Sequence, residues 1–176
     1  MTRVDFRAPL FGLTLAAALT AQGPVLLKDI NTTPLTPPDS DPSAFADLGN
    51  ITLFRAETEQ HGVELWRTDG TTAGTQIVTD LNPGDAGSDP SELVTLGDRV
   101  LFLADDGAFG REIWSSDGTS AGTRLVANLA PGIADSTAAD LTPYGNLVMF
   151  SLEDPIVGGR ELWATDGTAA GTRLVL

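Results

Sequence analysis

The chain has 176 residues, 41% hydrophobic and 19% charged, enough apolar material for one compact domain and too much for an intrinsically disordered one. Its net charge is −14, from 24 acidic and 10 basic residues, and Lys28 is its only lysine, so no nucleic-acid partner is expected, because such a partner needs a basic patch. Without cysteine it has no disulfide, no thiolate chemistry and no cysteine-built zinc site.

Residues 1–21 read as a signal peptide. Arg3 and Arg7 precede an apolar run over 10–21, and Ala16, Ala18 and Ala21 offer cleavage points. The run is shorter than the about 20 residues that a membrane helix requires. The mature chain is therefore expected to have no membrane span and to be secreted, periplasmic or held at the cell surface. Residues 22–42 supply a spare strand, "VLLKDI" at 25–30, and a Pro-rich connection, "NTTPLTPPDSDP" at 31–42. The triplets at Asn31 and Asn50 fit a glycosylation sequon, a pattern common by chance.

Three units follow, over 43–81, 82–129 and 130–176. Phe54, Phe102 and Phe150 recur at intervals of 48 residues, and Trp66, Trp114 and Trp163 at 48 and 49. Two independent markers with one period indicate a structural repeat. In the second unit "SELVTL", "RVLFLAD", "REIWSSD" and "TRLVANL" are short apolar runs bounded by Gly, Asp or Asn, the signature of strands and turns. No stretch of the mature chain sustains a helical period. Val100 and Phe102 point to one side of their strand and Leu101 and Leu103 to the other, so that strand needs cover on both faces. The expected fold is all-β, a β-propeller-like array of three four-stranded antiparallel blades. A closed propeller takes about four to eight blades. Three form an open arc, join a second chain in a symmetric ring, or belong to a larger propeller; exposed blade faces and strand edges favour self-association.

Each unit carries one phrase: "ELWRTDGTTAGT" at 64–75, "EIWSSDGTSAGT" at 112–123 and "ELWATDGTAAGT" at 161–172. It reads as a third strand and its turn into the fourth. Asp69, Asp117 and Asp166 bond nearby backbone amides, and Gly70, Gly118 and Gly167 supply positive φ. Gly74, Gly122 and Gly171 are expected to make a second sharp bend; Trp66, Trp114 and Trp163 share a regular packing role, with Trp114 expected between blades and its indole N–H on a polar partner. Glu64, Glu112 and Glu161 either ring a central channel or satisfy each blade through a salt bridge or backbone bond, with Arg111 and Arg160 nearby. Recurrence in every blade favours the structural role, because sites usually break repeat symmetry.

These segments resemble the bacterial ELWxxDGTxxGT-repeat family of secreted proteins, sometimes called hyalin-like, over roughly residues 25–176. The matching residues are Glu64, Trp66, Asp69, Gly70, Thr71, Gly74 and Thr75 with their equivalents; Ile113 stands where the phrase has Leu. The strand order is also similar to that of YWTD-type propellers. The resemblance implies an extracellular, propeller-like repeat protein and no defined reaction.

No nucleophile elbow, phosphate loop or dinucleotide fingerprint occurs. His61, the single histidine, reads as a turn residue, since a metal site needs more ligands. No cofactor is expected. Asp80, Asn82, Asp85 and Asp89 gather the oxygens calcium prefers, and Asp105 with Asp106 form another acidic corner. Turn propensity accounts for the same residues without metal, Gly84 breaks the EF-hand pattern, and the third copy, "NLAPGIADS", loses the acidic character of the first two oxygens. The expected function is an exported, non-enzymatic binding scaffold for an extracellular protein or glycan. The rivals are a carbohydrate-active hydrolase or lyase with its site on the blade loops, and a fragment without independent function. The segment 153–159, beginning Glu153-Asp154, departs most from its counterparts and is where an enzyme's site is to be sought.

Overall fold

A computed structural model describes residues 26–30, 39–153 and 158–175. The signal segment, most of the Pro-rich connection and Asp154 lie outside the described residues. The twelve strands there are β1 (Ser43–Leu48), β2 (Ile51–Thr58), β3 (Gly62–Thr68), β4 (Gln76–Thr79), β5 (Ser91–Leu96), β6 (Arg99–Asp105), β7 (Arg111–Ser116), β8 (Arg124–Ala127), β9 (Ala139–Tyr144), β10 (Leu147–Glu153), β11 (Arg160–Thr165) and β12 (Arg173–Leu174). They form three antiparallel sheets, β1-β2-β3-β4, β5-β6-β7-β8 and β9-β10-β11-β12, each a simple meander. No helix occurs among the described residues.

One register is built three times. Phe54 pairs with Trp66, Phe102 with Trp114 and Phe150 with Trp163 across the second and third strands. A bulge interrupts each pairing of first and second strands. The residue two places past the Ser-Asp-Pro-type entry takes positive φ in every copy: Ala44 at 51°, Glu92 at 52° and Asp140 at 63°. A bulge bends its strand and raises local twist, here at the point where each sheet begins.

The sheets lie face to face, and alternation along each strand assigns its side chains to two neighbours. Ala46, Leu53, Leu65 and Val78 of the first sheet meet Val100, Phe102, Ala104 and Trp114 of the second. Leu101, Leu103, Ile113 and Val126, on the opposite face of the second sheet, meet Leu141, Val148, Phe150 and Leu152 of the third. Strand β6 is thus covered on both sides, with five consecutive buried residues. The first strands also approach one another, β1 against β5 and β5 against β9. Between the sheets there is no strand pairing; each remains a separate hydrogen-bonded unit.

Residues 26–30 are not a strand, yet they lie where a preceding fourth strand would lie. Lys28 Nζ donates to Thr75 O at 2.7 Å, and Thr72 Oγ1 donates to Leu27 O at 2.7 Å. Ile30 packs with Phe54, Ala56, Trp66 and Ile77 on the outer face of the first sheet.

Candidate functional site

The corner after each third strand is a closed network of local hydrogen bonds. Asp69 Oδ1 accepts from Thr71 N at 2.9 Å and Thr71 Oγ1 at 2.7 Å, while Gly74 N donates back to Thr71 Oγ1 at 3.0 Å. Thr68 and Thr75 hydroxyls meet at 2.7 Å across the turn. The set is reproduced by Asp117, Thr119, Gly122, Ser116 and Thr123, and by Asp166, Thr168, Gly171, Thr165 and Thr172. The threonine hydroxyl on each Asp lowers the pKa of Asp69, Asp117 and Asp166 below the usual 3.8. Their acceptor capacity is therefore engaged by the turn itself.

Two glycines serve two different needs here. Gly70, Gly118 and Gly167 have φ of 83°, 83° and 86°, the left-handed conformation expected of them. The expected second bend is present at Gly74, Gly122 and Gly171, each in a turn, but none of them has positive φ. A Cβ on any of them would collide with the carboxylate of Asp69, Asp117 or Asp166. The missing side chain makes room for the aspartate.

The glutamates join consecutive sheets. Glu64 Oε1 accepts from the backbone N–H groups of Asn82 and Ser88, both at 3.1 Å, and Oε2 accepts from Ser88 Oγ at 2.5 Å. Glu112 accepts from Leu129 N and Ala130 N, both at 2.9 Å. Each carboxylate thus holds the connection that leads from its own sheet into the next. Both are fully buried, and desolvation raises the pKa of each above the ordinary 4.5 despite those donors. The third copy differs. Glu161 is only half-buried, and its carboxylate has no hydrogen-bond partner among the described residues. Glu64 and Glu112 do not line a channel, because each carboxylate is buried and held by the connection into the next sheet. Arg111 and Arg160 do not pair with the glutamates beside them. Arg111 donates to Asp89 O at 3.0 Å and to the Ser91 hydroxyl; Arg160 donates to Thr137 O and Ser151 Oγ, both at 2.8 Å.

The indole expectation fails at Trp114, and Trp66 shows the same feature. Trp66 Nε1 and Trp114 Nε1 are buried without an acceptor. Trp114 lies in the apolar cluster between the first two sheets. Burial of the ring outweighs the orphaned donor, which costs about 1–3 kcal/mol. Trp163 packs against the ring of Phe150 at 6.3 Å.

The four calcium candidates do not converge. Asn82 Nδ2 donates to Gly87 O, and Asp89 carries Arg55 at 2.9 Å and Arg111 at 3.6 Å. Asp80 and Asp85 are exposed, and no cluster of three or more acidic or His residues suited to a metal ion occurs among the described residues. Asp105 and Asp106 accept from the backbone N–H groups of residues 107–109. His61 sits in the β2–β3 turn, where Nδ1 lies 3.1 Å from Thr58 Oγ1. Glu153 is exposed, and its backbone N–H bonds Thr137 Oγ1. Beside it lies an apolar cleft of about 210 Å³, lined in part by Leu129, Ala134 and Leu152. That is below the about 300–1,000 Å³ of ordinary ligand pockets.

Two links between sheets had no counterpart in the repeated phrase. Asp89 bridges Arg55 on β2 and Arg111 on β7, and Glu92 Oε2 accepts from Leu141 N at 2.8 Å. Arg55 stands where the other copies have Leu103 and Ser151, so a search for repetition passes over it. Asp89 is mostly exposed, which makes its pairs worth about 0–1 kcal/mol.

No protein-family model matches this chain, and no curated protein sequence matches it. Among the described residues no helix is long and apolar enough to cross a membrane, a statement that leaves membrane-spanning strands untouched.

Proposed function

We propose that the chain is an exported, non-enzymatic scaffold of propeller-like blades that binds an extracellular protein or glycan through its loops. One observation carries this reading. The polar groups that the repeat makes conspicuous are engaged inside the molecule, in the turns at Asp69, Asp117 and Asp166 and between sheets at Glu64 and Glu112. What the repeat builds is a frame, and its loops and first strands differ from copy to copy. Phe45, Phe109, Ile133 and Tyr144 are exposed there, apolar groups of the kind that dominate recognition surfaces. The approach of β1, β5 and β9 to one another supports a radial, propeller-like arrangement with first strands innermost.

The test is a panel of extracellular glycans and matrix proteins assayed for retention and for turnover. Saturable binding without product supports the scaffold. Sustained cleavage of a glycan that is lost on Glu153→Ala overturns it in favour of a carbohydrate-active enzyme.

A further inference from the structure

Among the described residues there are two finished joints between sheets, and the first and third sheets each present one half of a further joint. At each finished joint three apolar residues of one sheet are covered by the next: Leu53, Leu65 and Val78 by the second sheet, Leu101, Ile113 and Val126 by the third. All six are at most 7% exposed. Their register equivalents on the third sheet are Met149, Leu162 and Val175, and Leu162 and Val175 are 38% and 43% exposed. Beside them stands Glu161, in the position from which Glu64 and Glu112 hold the following connection.

The other half is at the opposite end. Residues 26–30 lie on the first sheet as β4 lies on the second: Thr72 reaches Leu27 O there, as Ser120 reaches Thr79 Oγ1 at the next joint. Ile30 fills the position that Leu81 has in the next cluster. Ser40 stands in the register of Ser88, and its carbonyl accepts from Glu57 N as Ser88 O accepts from Asp105 N. Ser88 is the residue that Glu64 holds; no carboxylate of the described residues holds Ser40.

We propose that the open face of the third sheet, Met149, Leu162, Val175 and Glu161, receives the first-sheet end of a second copy of this chain, head to tail. In that joint Glu161 accepts from the backbone N–H and hydroxyl of the second copy's Ser40. A glutamate holding the following connection is used at both finished joints; the serine contact is the one made at the first, Glu64 with Ser88, whereas Glu112 holds Leu129 N and Ala130 N. The proposal rests on register and does not depend on the ligand class proposed above.

Sedimentation velocity of the full chain from about 1 to about 100 μM, a range that brackets micromolar affinity, tests it. The expected result is assembly to two chains, or to longer species if two joints do not close. Leu162→Glu alone and Ser40→Glu alone abolish assembly, the latter by setting a carboxylate against Glu161. An equal mixture of the two reassembles, because each supplies the half that the other lacks. Glu161→Gln, mild enough to leave the fold intact by circular dichroism, raises Kd about tenfold or more, since hydrogen bonds to a charged acceptor are the strong kind. A single chain throughout the concentration range overturns the proposal. So does assembly that survives Leu162→Glu, or Ser40→Glu, the latter meaning that two third sheets meet face to face.

Discussion

At the residue scale, similar chemistry has opposite consequences in two environments. Asp69, Asp117 and Asp166 sit in exposed turns whose threonines lower their pKa below 3.8. Their contribution to stability is present above pH 3.8 and is lost as pH falls through the lowered values. Glu64 and Glu112 are raised above 4.5 by burial. The folded state then holds more protons than the unfolded chain above pH 4.5, and stability falls as pH rises through the raised values. Urea titrations at a series of pH values should show that fall, and the double variant Glu64→Gln/Glu112→Gln should lack it. A second residue-scale prediction concerns Gly122. Gly122→Ala forces the Asp117 carboxylate off its threonine and should cost about 1–3 kcal/mol, read as a lower Tm. The local reason is a collision, since the φ of Gly122 is not in the left-handed region.

At the scale of elements, the joint between sheets combines apolar faces with one buried carboxylate. Repetition makes a controlled comparison possible. Glu112→Ala leaves Leu129 N and Ala130 N without acceptors and should destabilise by about 3 kcal/mol, given about 1–3 kcal/mol for each buried donor left unpaired. Glu161→Ala changes the same residue type at the same place in the repeat. Its carboxylate holds nothing among the described residues, and in the single chain the cost should stay within about 0.5 kcal/mol. Equilibrium denaturation of the two variants at a dilution that prevents assembly decides the matter; equal losses would mean that the glutamate acts within its own sheet.

For the whole molecule, stability follows cover. The second sheet has neighbours on both faces, and β6 and β7 are almost continuously buried; β12 is exposed at both residues. Sheets that touch only their neighbours behave as a nearly one-dimensional array, with the centre opening last. Hydrogen exchange at low protein concentration should find the amides of Leu101, Leu103 and Ile113 slowest and those of β12 fastest. Uniform protection across the three sheets would mean that they unfold as one unit.

The strands, their order within each unit and the turns are legible in the residues, because those depend on neighbours a few residues apart: alternation along "RVLFLAD", and Asp-Gly-Thr closing on its own amides. So is the need of β6 for two covers, since both its faces are apolar. The role of the glutamates is not legible there and emerges in the packed sheets. Their donors lie in connections 17 to 24 residues further along, and their burial is supplied by another sheet. Glu64, Glu112 and Glu161 are identical as letters, yet two are buried and one is half-exposed. The unpaired indoles and the Arg55–Asp89–Arg111 bridge escaped the sequence for the same reason. Hydrogen bonding and burial across a joint are properties of two sheets together, whereas the repeated phrase describes one sheet at a time.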